Sequence, residues 1–367
     1  MKVLVLAPPV ENFGGIQRYI ATLVRALQDL LTEQDVCVLA IRGQPQLRWD
    51  GQERLRLGVK SRFVARALQE AERWRPNLVI CSHVGLAPTG WLLRVSSRRP
   101  YWVVAYGIEV WGALSLWKRL AIVRADRLLA ISDFTRQQLF ERYRISPERT
   151  FLLPPMLANQ RTPQADLRAA VPVENGRRIV LTVGRLAASE RYKGHDVMLR
   201  AWVRVREKMP KAVYLIVGDG DDRLRLQALA LELGLGESVC FAGAVSEDVL
   251  AACYKACEVF AMPARTVLDP RAPQGEGFGI VFLEAMTHGK PVIGPRFGAP
   301  SEFIRHGEHG LLVDPEDPAG VAQAVIDLLT LPELAARMGQ AGKQKVTQDF
   351  SYNRFCERLR QALSELT

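Results

Sequence analysis

Short apolar runs alternate with longer segments of helical periodicity along almost the whole chain. In the first half, the strand candidates are residues 3–7, 36–40, 78–81, 102–105 and 127–131. After a proline-rich and polar stretch between 153 and 172, the strand candidates are 179–183, 213–217, 239–241, 259–261 and 291–293. Strands that alternate with helices form parallel sheets covered on both faces. The sequence therefore predicts two doubly wound α/β domains, which suits a length of 367 residues.

The polar stretch places the domain boundary, giving predicted domains at residues 1–155 and 156–349. In open α/β sheets, ligands bind beyond the carboxyl ends of the strands. We therefore expect the two domains to face each other across a central cleft that holds the site. Helical patterns between the second-half strand candidates lie at 194–208, 222–233, 247–254, 279–287 and 317–329.

Composition excludes several classes of protein. Charged residues make up 24% and apolar residues 48%, as in globular domains rather than collagen, coiled coils or disordered chains. The sequence contains no run of eighteen apolar residues, so no membrane-spanning helix is predicted. The short apolar N-terminus is expected to be a strand rather than a signal peptide. Six scattered cysteines predict free thiols in a reducing compartment. Cys253 and Cys257 have helical spacing but no second Cys or His pair nearby, so no metal site is predicted.

The positive charge is confined to the first half of the chain. The whole chain carries a net charge of +10, and residues 1–160 hold 23 basic and 13 acidic side chains, which accounts for all of it. A basic domain favours an anionic partner: nucleic acid, an acidic membrane surface or a phosphorylated substrate. A solvated basic face that only maintains solubility is the alternative.

A helix over residues 62–75 would place a basic stripe opposite an apolar face. The stripe consists of Arg62, Arg66 and Arg73, with Arg54, Arg56 and Lys60 just upstream. A basic stripe on an amphipathic helix can lie against anionic lipid headgroups. Because the apolar face is needed for packing on the sheet, we expect electrostatic docking without insertion. Nucleic acid is disfavoured, since no nucleic-acid-binding motif is present.

Two glycine-containing turns follow predicted strands and could bind an anion. Gly14 and Gly15 lie between the first strand and the first helix, where bare backbone N–H groups can approach a phosphate or form a tight turn. Arg185 follows the first strand of the second domain, and Lys193 precedes the next helix. Two cations at the carboxyl end of a strand suit a diphosphate, although solvated loop charges are the alternative.

Two further motifs carry carboxylates. Gly218, Asp219 and Gly220 form a strand-to-helix turn that admits a ligand close to the backbone, and Asp221 is expected to cap the next helix. A glycine-rich turn with Glu276 leads into an apolar segment that contains Glu284. A carboxylate in a buried helix is costly unless it is paired or hydrogen-bonded. An internal ion pair and a ligand-hydroxyl acceptor are the two interpretations of Glu284.

Together these motifs resemble those of the retaining glycosyltransferases of family 4, which have the two-domain GT-B fold with two Rossmann-like domains. The resemblance covers nearly the whole chain, in the right order and spacing. It is most specific in Glu-Gly-Phe-Gly-Ile-Val-Phe-Leu-Glu-Ala, which begins at Glu276. It implies an enzyme that moves a hexosyl group from a UDP- or GDP-hexose to an acceptor with retention of configuration. The resemblance implies no required metal or other cofactor.

The resemblance also implies roles for individual residues. Arg185 and Lys193 would bind the donor diphosphate and stabilise the departing nucleotide. Glu276 would hold the sugar or stabilise an oxocarbenium-like state, together with the turn formed by Gly277, Phe278, Gly279 and Ile280. Glu284 would accept ribose hydroxyls; Gly14 and Gly15 would lie against the diphosphate, and Gly218, Asp219 and Gly220 near the base. The final segment, 350–367, would form a helix that crosses back to the first domain.

One position departs from the family pattern. Many relatives have His-Gly-x-Glu or His-Gly-x-Asp, with a histidine that contacts the donor sugar, where this chain has Tyr106-Gly107-Ile108-Glu109. A phenol is a poor proton shuttle at pH 7. Either Tyr106 contacts the donor sugar, or activity is reduced. His83, which also follows a first-domain strand, is a weaker candidate for the missing histidine.

The sequence thus predicts a hexosyltransferase that is cytoplasmic and peripheral at the inner face of the cell membrane. Its expected partners are a nucleotide-sugar donor, a lipid-linked, saccharide or other anionic acceptor, and an anionic membrane surface, without nucleic acid. A non-catalytic nucleotide-sugar-binding subunit of a glycosyltransferase complex and a nucleotide-sugar epimerase are the alternatives.

Overall fold

The structure is a computed structural model that describes residues 1–9, 14–41, 57–157 and 176–365, with backbone only for 57–60. The chain divides into two compact units. The first comprises Met1–Met156 together with Tyr352–Thr367, and the second comprises Leu157–Ser351. Arg54 and Arg56, which were predicted to extend the basic stripe, lie outside the described residues.

The first unit contains a parallel six-stranded sheet in the order β2-β1-β3-β4-β5-β6. Its strands are β1 (Val3–Ala7), β2 (Val36–Ala40), β3 (Leu78–Cys81), β4 (Tyr101–Ala105), β5 (Arg127–Ala130) and β6 (Thr150–Leu152). Its helices are α1 (Gly15–Leu30), α2 (Leu57–Trp74), α3 (Ala87–Ser97), α4 (Ile108–Trp111), α5 (Leu116–Arg124), α6 (Asp133–Tyr143) and, from the end of the chain, α13 (Tyr352–Ser364). Every side chain of β1 and β3 is fully buried, as expected for central parallel strands covered on both faces.

The second unit contains another parallel six-stranded sheet, in the order β12-β11-β10-β7-β8-β9. Its strands are β7 (Arg178–Val183), β8 (Ala212–Val217), β9 (Val239–Gly243), β10 (Val259–Ala261), β11 (Val292–Pro295) and β12 (Gly310–Val313). Its helices are α7 (His195–Lys208), α8 (Arg223–Glu232), α9 (Glu247–Ala256), α10 (Ile280–Thr287), α11 (Pro318–Thr330) and α12 (Pro332–Asp349). The predicted class of two Rossmann-like doubly wound domains is confirmed.

The last helix packs on the first unit. Arg127 donates to the Ala362 carbonyl at 2.9 Å and forms an ion pair with Glu365 at 2.7 Å. The Phe355 ring meets Tyr19 of α1 edge-on, with ring centroids 5.8 Å apart. These contacts join the end of the chain to its beginning.

Among the described residues, no single helix has the length and apolarity to cross a bilayer. The helices over Pro318–Thr330 and Pro332–Ser364 meet that criterion only as a pair bent by 98°, by length and composition.

Candidate active site

The order of strands in the second sheet reverses between β7 and β10, and the predicted cations Arg185 and Lys193 lie at this switch point. The chain leaves these neighbouring strands toward opposite sides, which opens a crevice at their carboxyl ends. Gly184 and Arg185 directly follow β7, and Pro263 follows β10. Gly194 has φ +78°, and a Cβ there would lie 2.3 Å from the Pro263 carbonyl oxygen. The loop after β7 therefore rests on the segment after β10, which holds Lys193 in the crevice.

Lys193 lies between two carboxylates. Its Nζ forms an ion pair with Glu276 Oε1 and lies 3.7 Å from Glu190 Oε2, while Glu190 Oε1 also pairs with Arg185. The side chains of Lys193, Glu190 and Glu276 are only 12%, 11% and 14% exposed, but Arg185 is 78% exposed. Gly184 makes room for this arrangement, because a Cβ there would lie 3.1 Å from Lys193 Cδ. The structure thus brings together three predicted site residues, Arg185, Lys193 and Glu276, in one charged cluster.

Arg265, which follows β10, fixes the loop that carries Lys193. Its backbone N–H donates to the Tyr192 carbonyl at 2.6 Å, and its guanidinium donates to Asp196 Oδ2 at 2.9 Å. Arg191 in the same loop donates to Asp222 at 2.7 and 2.9 Å. The loop is therefore tied to two other segments of the second unit, and Lys193 is held in position before any ligand arrives.

Besides the two carboxylates, a tyrosine and a histidine lie near the ammonium, and both are uncharged at neutral pH. The Lys193 Nζ lies 5.4 Å from the Tyr192 ring centre, and burial, followed by Glu276 and Glu190, raises the pKa of that phenol. Burial, followed by the Lys193 charge, lowers the pKa of His195 to about 4. Neither ring nitrogen of His195 has a hydrogen-bond partner among the described residues. Lys193 and Arg185 therefore supply the positive charge here, and His195 adds none.

The glycine-rich turn before α10 is anchored by aromatic packing. The Phe278 ring stacks on Phe303 with centroids 4.9 Å apart and meets Phe350 edge-on at 5.7 Å. Gly279 has φ +91°, and a Cβ there would lie 2.9 Å from the Phe282 ring. The Phe278 side chain is thus buried in the unit, so Phe278 can meet a ligand only through its backbone. Ile280 begins α10 and is half-buried, and Gly277 lies in the turn.

Glu284 on α10 is half-buried and hydrogen-bonded. Tyr254 Oη donates to Glu284 Oε2 at 2.8 Å. Burial, followed by Glu284, raises the pKa of Tyr254 well above its ordinary value, so the phenol keeps the proton that it donates. His288 Nδ1 lies 2.9 Å from the Glu284 carbonyl oxygen, and its ring stacks on Tyr254. The predicted need for a hydrogen-bond partner is met by the Tyr254 hydroxyl.

The turn after β8 needs its glycines for packing. A Cβ on Gly218, which has φ +134°, would lie 2.0 Å from the Gly184 carbonyl oxygen, and one on Gly220 would lie 2.3 Å from the Leu186 carbonyl oxygen. Asp219 accepts from the Gly220 N–H at 2.8 Å and pairs with Arg223 at 3.2 Å. The turn therefore lies directly against the segment after β7.

The expectation that Asp221 caps the next helix is wrong. Helix α8 begins at Arg223, Asp222 is its N-cap residue, and the helix has no side-chain cap. Asp221 instead accepts from the Ala188 N–H at 2.8 Å. The two aspartates thus tie the turn to the segment after β7, because Asp222 binds Arg191 of that segment.

In the first unit, Gly14 and Gly15 form the start of α1. Gly14 is the N-cap residue with extended backbone, and its carbonyl accepts from Arg18 at 3.1 Å. A Cβ on Gly15 would meet nothing within 4 Å among the described residues. Within the described part of the chain, packing therefore gives no reason for glycine at position 15, and its contact with a diphosphate stays a prediction.

Tyr106 is buried and its hydroxyl is already engaged. It donates to the Ser82 carbonyl at 2.9 Å, and the ring meets Tyr19 edge-on with centroids 5.3 Å apart. His83 stacks on Tyr106 at 6.2 Å, and its Nδ1 accepts from the Gly85 N–H at 2.9 Å. Burial, followed by Lys118, lowers the pKa of His83. The contact of Tyr106 with a donor sugar stays a prediction, and this structure gives its proton another acceptor.

The basic stripe on α2 has the predicted faces. Arg62, Arg66 and Arg73 are exposed, while Phe63 and Ala67 on the opposite side are buried. Arg73 pairs with Glu70 at 3.3 Å, which weakens the C-terminal end of the stripe as an anion-binding surface.

Two residues of the charged cluster and its surroundings were not predicted. Glu190 lies in a 3₁₀ helix over Ala188–Lys193, and its only sequence signal is a carboxylate three residues before Lys193. Tyr254 lies on α9, and no local pattern links it to Glu284, thirty residues away. Both contacts arise where segments that are distant in sequence meet in the fold.

Family models match both halves of the chain. The model described as Glycosyltransferase Family 4 matches residues 13–158, and that described as Glycosyl transferases group 1 matches residues 163–345. A GDP-mannose-dependent alpha-(1-6)-phosphatidylinositol monomannoside mannosyltransferase of Mycolicibacterium smegmatis is 32% identical over 286 residues, which cover 76% of this chain and 74% of the relative. A D-inositol 3-phosphate glycosyltransferase of Acidothermus cellulolyticus is 32% identical over 231 residues, which cover 59% of this chain and 48% of the relative.

Solved structures agree on the fold. Sucrose-phosphate synthase from Thermosynechococcus elongatus has a TM-score of 0.81 at 22% identity, covering 100% of this chain and 99% of that one. The HepE protein of Anabaena, solved in complex with UDP and glucose, has a TM-score of 0.79 at 19% identity, covering 100% of both chains. The predicted hexosyltransferase class and GT-B fold are thereby confirmed, and the chain belongs to the glycosyltransferases of family 4.

Proposed function

We propose that this protein transfers a hexosyl group from a nucleoside diphosphate sugar to a lipid-linked, saccharide or other anionic acceptor, with retention of anomeric configuration. The observation that carries the proposal is Lys193, held between Glu190 and Glu276 at the carboxyl ends of β7 and β10, with Arg185 beside it. A fixed, largely desolvated cation beside a flexible exposed one suits a ligand that gains negative charge as it reacts.

That ligand is the departing nucleoside diphosphate. When the bond between sugar and phosphate breaks, negative charge grows on the phosphate oxygens, and preorganised cations stabilise that charge without reorganising. Lys193 is held by two carboxylates. Arg185 is largely exposed, so its ion pair with Glu190 can be exchanged for a phosphate at little cost. The two cations supply the charge that a divalent metal would otherwise provide, and we propose a metal-independent reaction.

Of the two carboxylates near the glycine-rich turn, Glu276 would contact the sugar and Glu284 the ribose. Glu276 precedes the turn of Gly277, Phe278 and Gly279, whose backbone N–H groups would hold the hexose, while Glu276 stabilises developing positive charge at the anomeric carbon. Glu284 accepts a hydrogen bond from the Tyr254 hydroxyl and would also accept hydrogen bonds from ribose hydroxyls. These roles are the ones that the resemblance to the glycosyltransferases of family 4 implies.

The relatives indicate which donors and acceptors to test first. The Mycolicibacterium relative is named for GDP-mannose and for a phosphatidylinositol mannoside, and the Acidothermus relative for inositol 3-phosphate. HepE was solved with UDP and glucose. We propose GDP-mannose as the first donor, UDP-hexoses as the second, and a phosphorylated, lipid-linked acceptor at the cytoplasmic face of the membrane. The basic first half and the exposed Arg62, Arg66 and Arg73 support an anionic partner there.

Calorimetric titration with GDP and UDP, with ADP as the control nucleotide, tests the donor site. We expect tight binding of one diphosphate that is lost in Arg185→Ala and kept in Arg200→Ala, which removes an exposed arginine from α7. Binding that survives in Arg185→Ala would contradict the diphosphate role. Transfer to a phosphatidylinositol acceptor in the presence of EDTA, with the product anomer read by NMR, then tests metal independence and retention.

A non-catalytic nucleotide-sugar-binding subunit is the second candidate. It is favoured by one observation: the Tyr106 hydroxyl donates to the Ser82 carbonyl rather than pointing to a free acceptor position. Donor hydrolysis or transfer by the purified chain alone would exclude this candidate. Conversion of the donor into another nucleotide-sugar without any acceptor would instead indicate the epimerase alternative.

A further inference from the structure

Helix α3 of the first unit is apolar on both of its faces. On the inner face, Ala87 and Leu93 are fully buried. The outer face carries Leu92 and Val95, and Val95 is 67% exposed. Arg94 and Ser96 are also exposed on this helix, but exposed apolar side chains that lie together mark a surface that contacts protein or lipid. The exposure of Val95 means that the described part of the chain leaves this outer face open.

The neighbouring helix α5 extends this apolar surface. Leu116 and Trp117 in its first turn are 66% and 65% exposed. The Trp117 ring lies 6.3 Å from Trp91 of α3. Single exposed apolar side chains are ordinary, but a cluster on adjacent helices marks an interaction site. We call Trp91, Leu92, Val95, Leu116 and Trp117 the α3–α5 patch.

The α3–α5 patch has a strongly basic surround. Residues 84–126 contain six basic side chains and two acidic ones, Glu109 and Asp126, and Asp126 pairs with Arg94 of α3 at 3.2 Å. Glu109 is turned inward, where it accepts from the Tyr106 N–H. Lys118 and Arg119 are exposed, and neither pairs with a carboxylate in the described ranges. The guanidinium of Arg124 lies 5.3 Å from the Trp91 ring centre.

We propose that the α3–α5 patch docks this protein on an anionic lipid bilayer, with Leu116 and Trp117 entering the headgroup region. Tryptophan prefers the membrane interface, exposed aliphatic side chains gain by entering it, and lysine and arginine at its edge attract anionic headgroups. The same charges disfavour a second copy of this chain, since two basic faces repel. Nucleic acid would match the charge but offers no apolar phase for Leu92 and Val95.

The position of the patch suits a lipid-linked acceptor. The chain leaves β4 at the carboxyl edge of the first sheet and returns through α5 to β5 at the opposite edge, so the first turn of α5 lies nearer the carboxyl edge. Ligands of such sheets bind at that edge. This reason for the patch rests on the proposed function. The docking surface differs from the α2 stripe predicted from the sequence, and it adds insertion to electrostatic attraction.

Flotation of the full chain with vesicles tests the proposal. The vesicles contain phosphatidylcholine with or without 30% phosphatidylglycerol (roughly the anionic fraction needed for such attraction), at low salt. We expect the paired variant Leu116→Gln/Trp117→Gln to bind anionic vesicles at least about ten-fold more weakly. The control Leu231→Gln removes a leucine of α8 in the second unit that is more exposed than Leu116 (81% against 66%), and it should bind as the unmodified chain does.

A charge comparison separates the two basic surfaces. Lys118→Gln/Arg119→Gln should weaken binding by roughly five-fold per charge removed. Arg62→Gln/Arg66→Gln removes the same number of charges from α2 and should have a smaller effect. A larger effect on α2 would overturn the assignment to the α3–α5 patch.

Two further measurements use the unmodified chain and therefore do not depend on how well a variant folds. Brominated lipids should quench tryptophan fluorescence of the unmodified chain, and absence of quenching would refute insertion. Sedimentation of the unmodified chain without vesicles, alone and with added RNA, should show neither a dimer nor an RNA complex that the α5 substitutions disrupt. Either a dimer or an RNA complex of that kind would assign the patch to another partner. Hydrolysis of the donor without vesicles tests the proposed function separately, because the α5 variants should retain it.

Discussion

Replacing Lys193 with methionine tests whether the charged cluster of the second unit is desolvated. The substitution keeps an unbranched apolar chain but leaves Glu190 and Glu276 facing each other without the ammonium between them. Breaking a buried pair by removing one partner costs about 3–5 kcal/mol. Because these side chains retain slight exposure, we expect about 2–3 kcal/mol. For a unit of this size, such a change lowers the melting temperature of its transition by roughly 5–10 °C.

Differential scanning calorimetry measures this effect, with Lys345→Met as the matched control. Lys345 pairs with Asp349 at 2.7 Å on α12, where both side chains are about one-third exposed, so its loss should cost only about 0.5 kcal/mol. Adding Glu276→Gln to Lys193→Met should recover about 1–3 kcal/mol, because it removes one of the two stranded charges. If Lys193→Met shifts the transition no more than Lys345→Met does, the cluster is solvated and the argument for a preorganised cation is refuted.

Three further predictions concern the second unit. Gly218→Ala should destabilise the fold by more than the roughly 1 kcal/mol expected at Gly234, which also has positive φ but open space around it; thermal denaturation of both variants compares them. Burial lowers the pKa of His195 to about 4, so its neutral form contributes stability that is complete above pH 6.5 and is lost as the pH falls toward 4. The loss in the free energy of unfolding should be on the order of 3 kcal/mol. Urea unfolding at several pH values should show this loss, and His195→Gln should make the loss smaller. Tyr254→Phe should weaken diphosphate binding by roughly ten-fold, and by less than Glu284→Gln, because it removes only the hydroxyl that orients the carboxylate; equal calorimetric affinity to the unmodified chain would contradict the ribose role.

Most strands and helices could be located from apolar periodicity, and the exceptions have a physical reason. Apolar periodicity did not reveal β6 (Thr150–Leu152), a three-residue strand separated by one leucine from two prolines, or β12 (Gly310–Val313), which begins with glycine. Both are short strands at the edge of a sheet, and each pairs with a neighbour on one side only. Such a strand does not need the long apolar run that identifies a central strand. The long helix α12 was also missed, since its polar sequence offers few core positions.

The candidate site could be predicted only in part. Arg185, Lys193 and Glu276 could be named because glycine turns after strands are local patterns. Their pairing could not be predicted, since Glu276 is 83 residues from Lys193 and the fourth member, Glu190, is marked only by its position three residues before Lys193. The docking surface could also be predicted only in part. The charge count located a basic first half, but the contact between Trp91 and Trp117 joins two helices that are separate in sequence, so no local pattern indicates it.

The sequence alone determined the periodicity, the order of strands and helices, the glycine turns and the net charge, because each depends on residues close together in the chain. Which charged side chains are desolvated depends on how the chain packs in three dimensions. Lys193 is desolvated because the loop after β7 lies on the segment after β10, whereas Arg185, eight residues earlier, remains in solvent. Burial depends on packing between distant segments, and a linear pattern does not specify that packing.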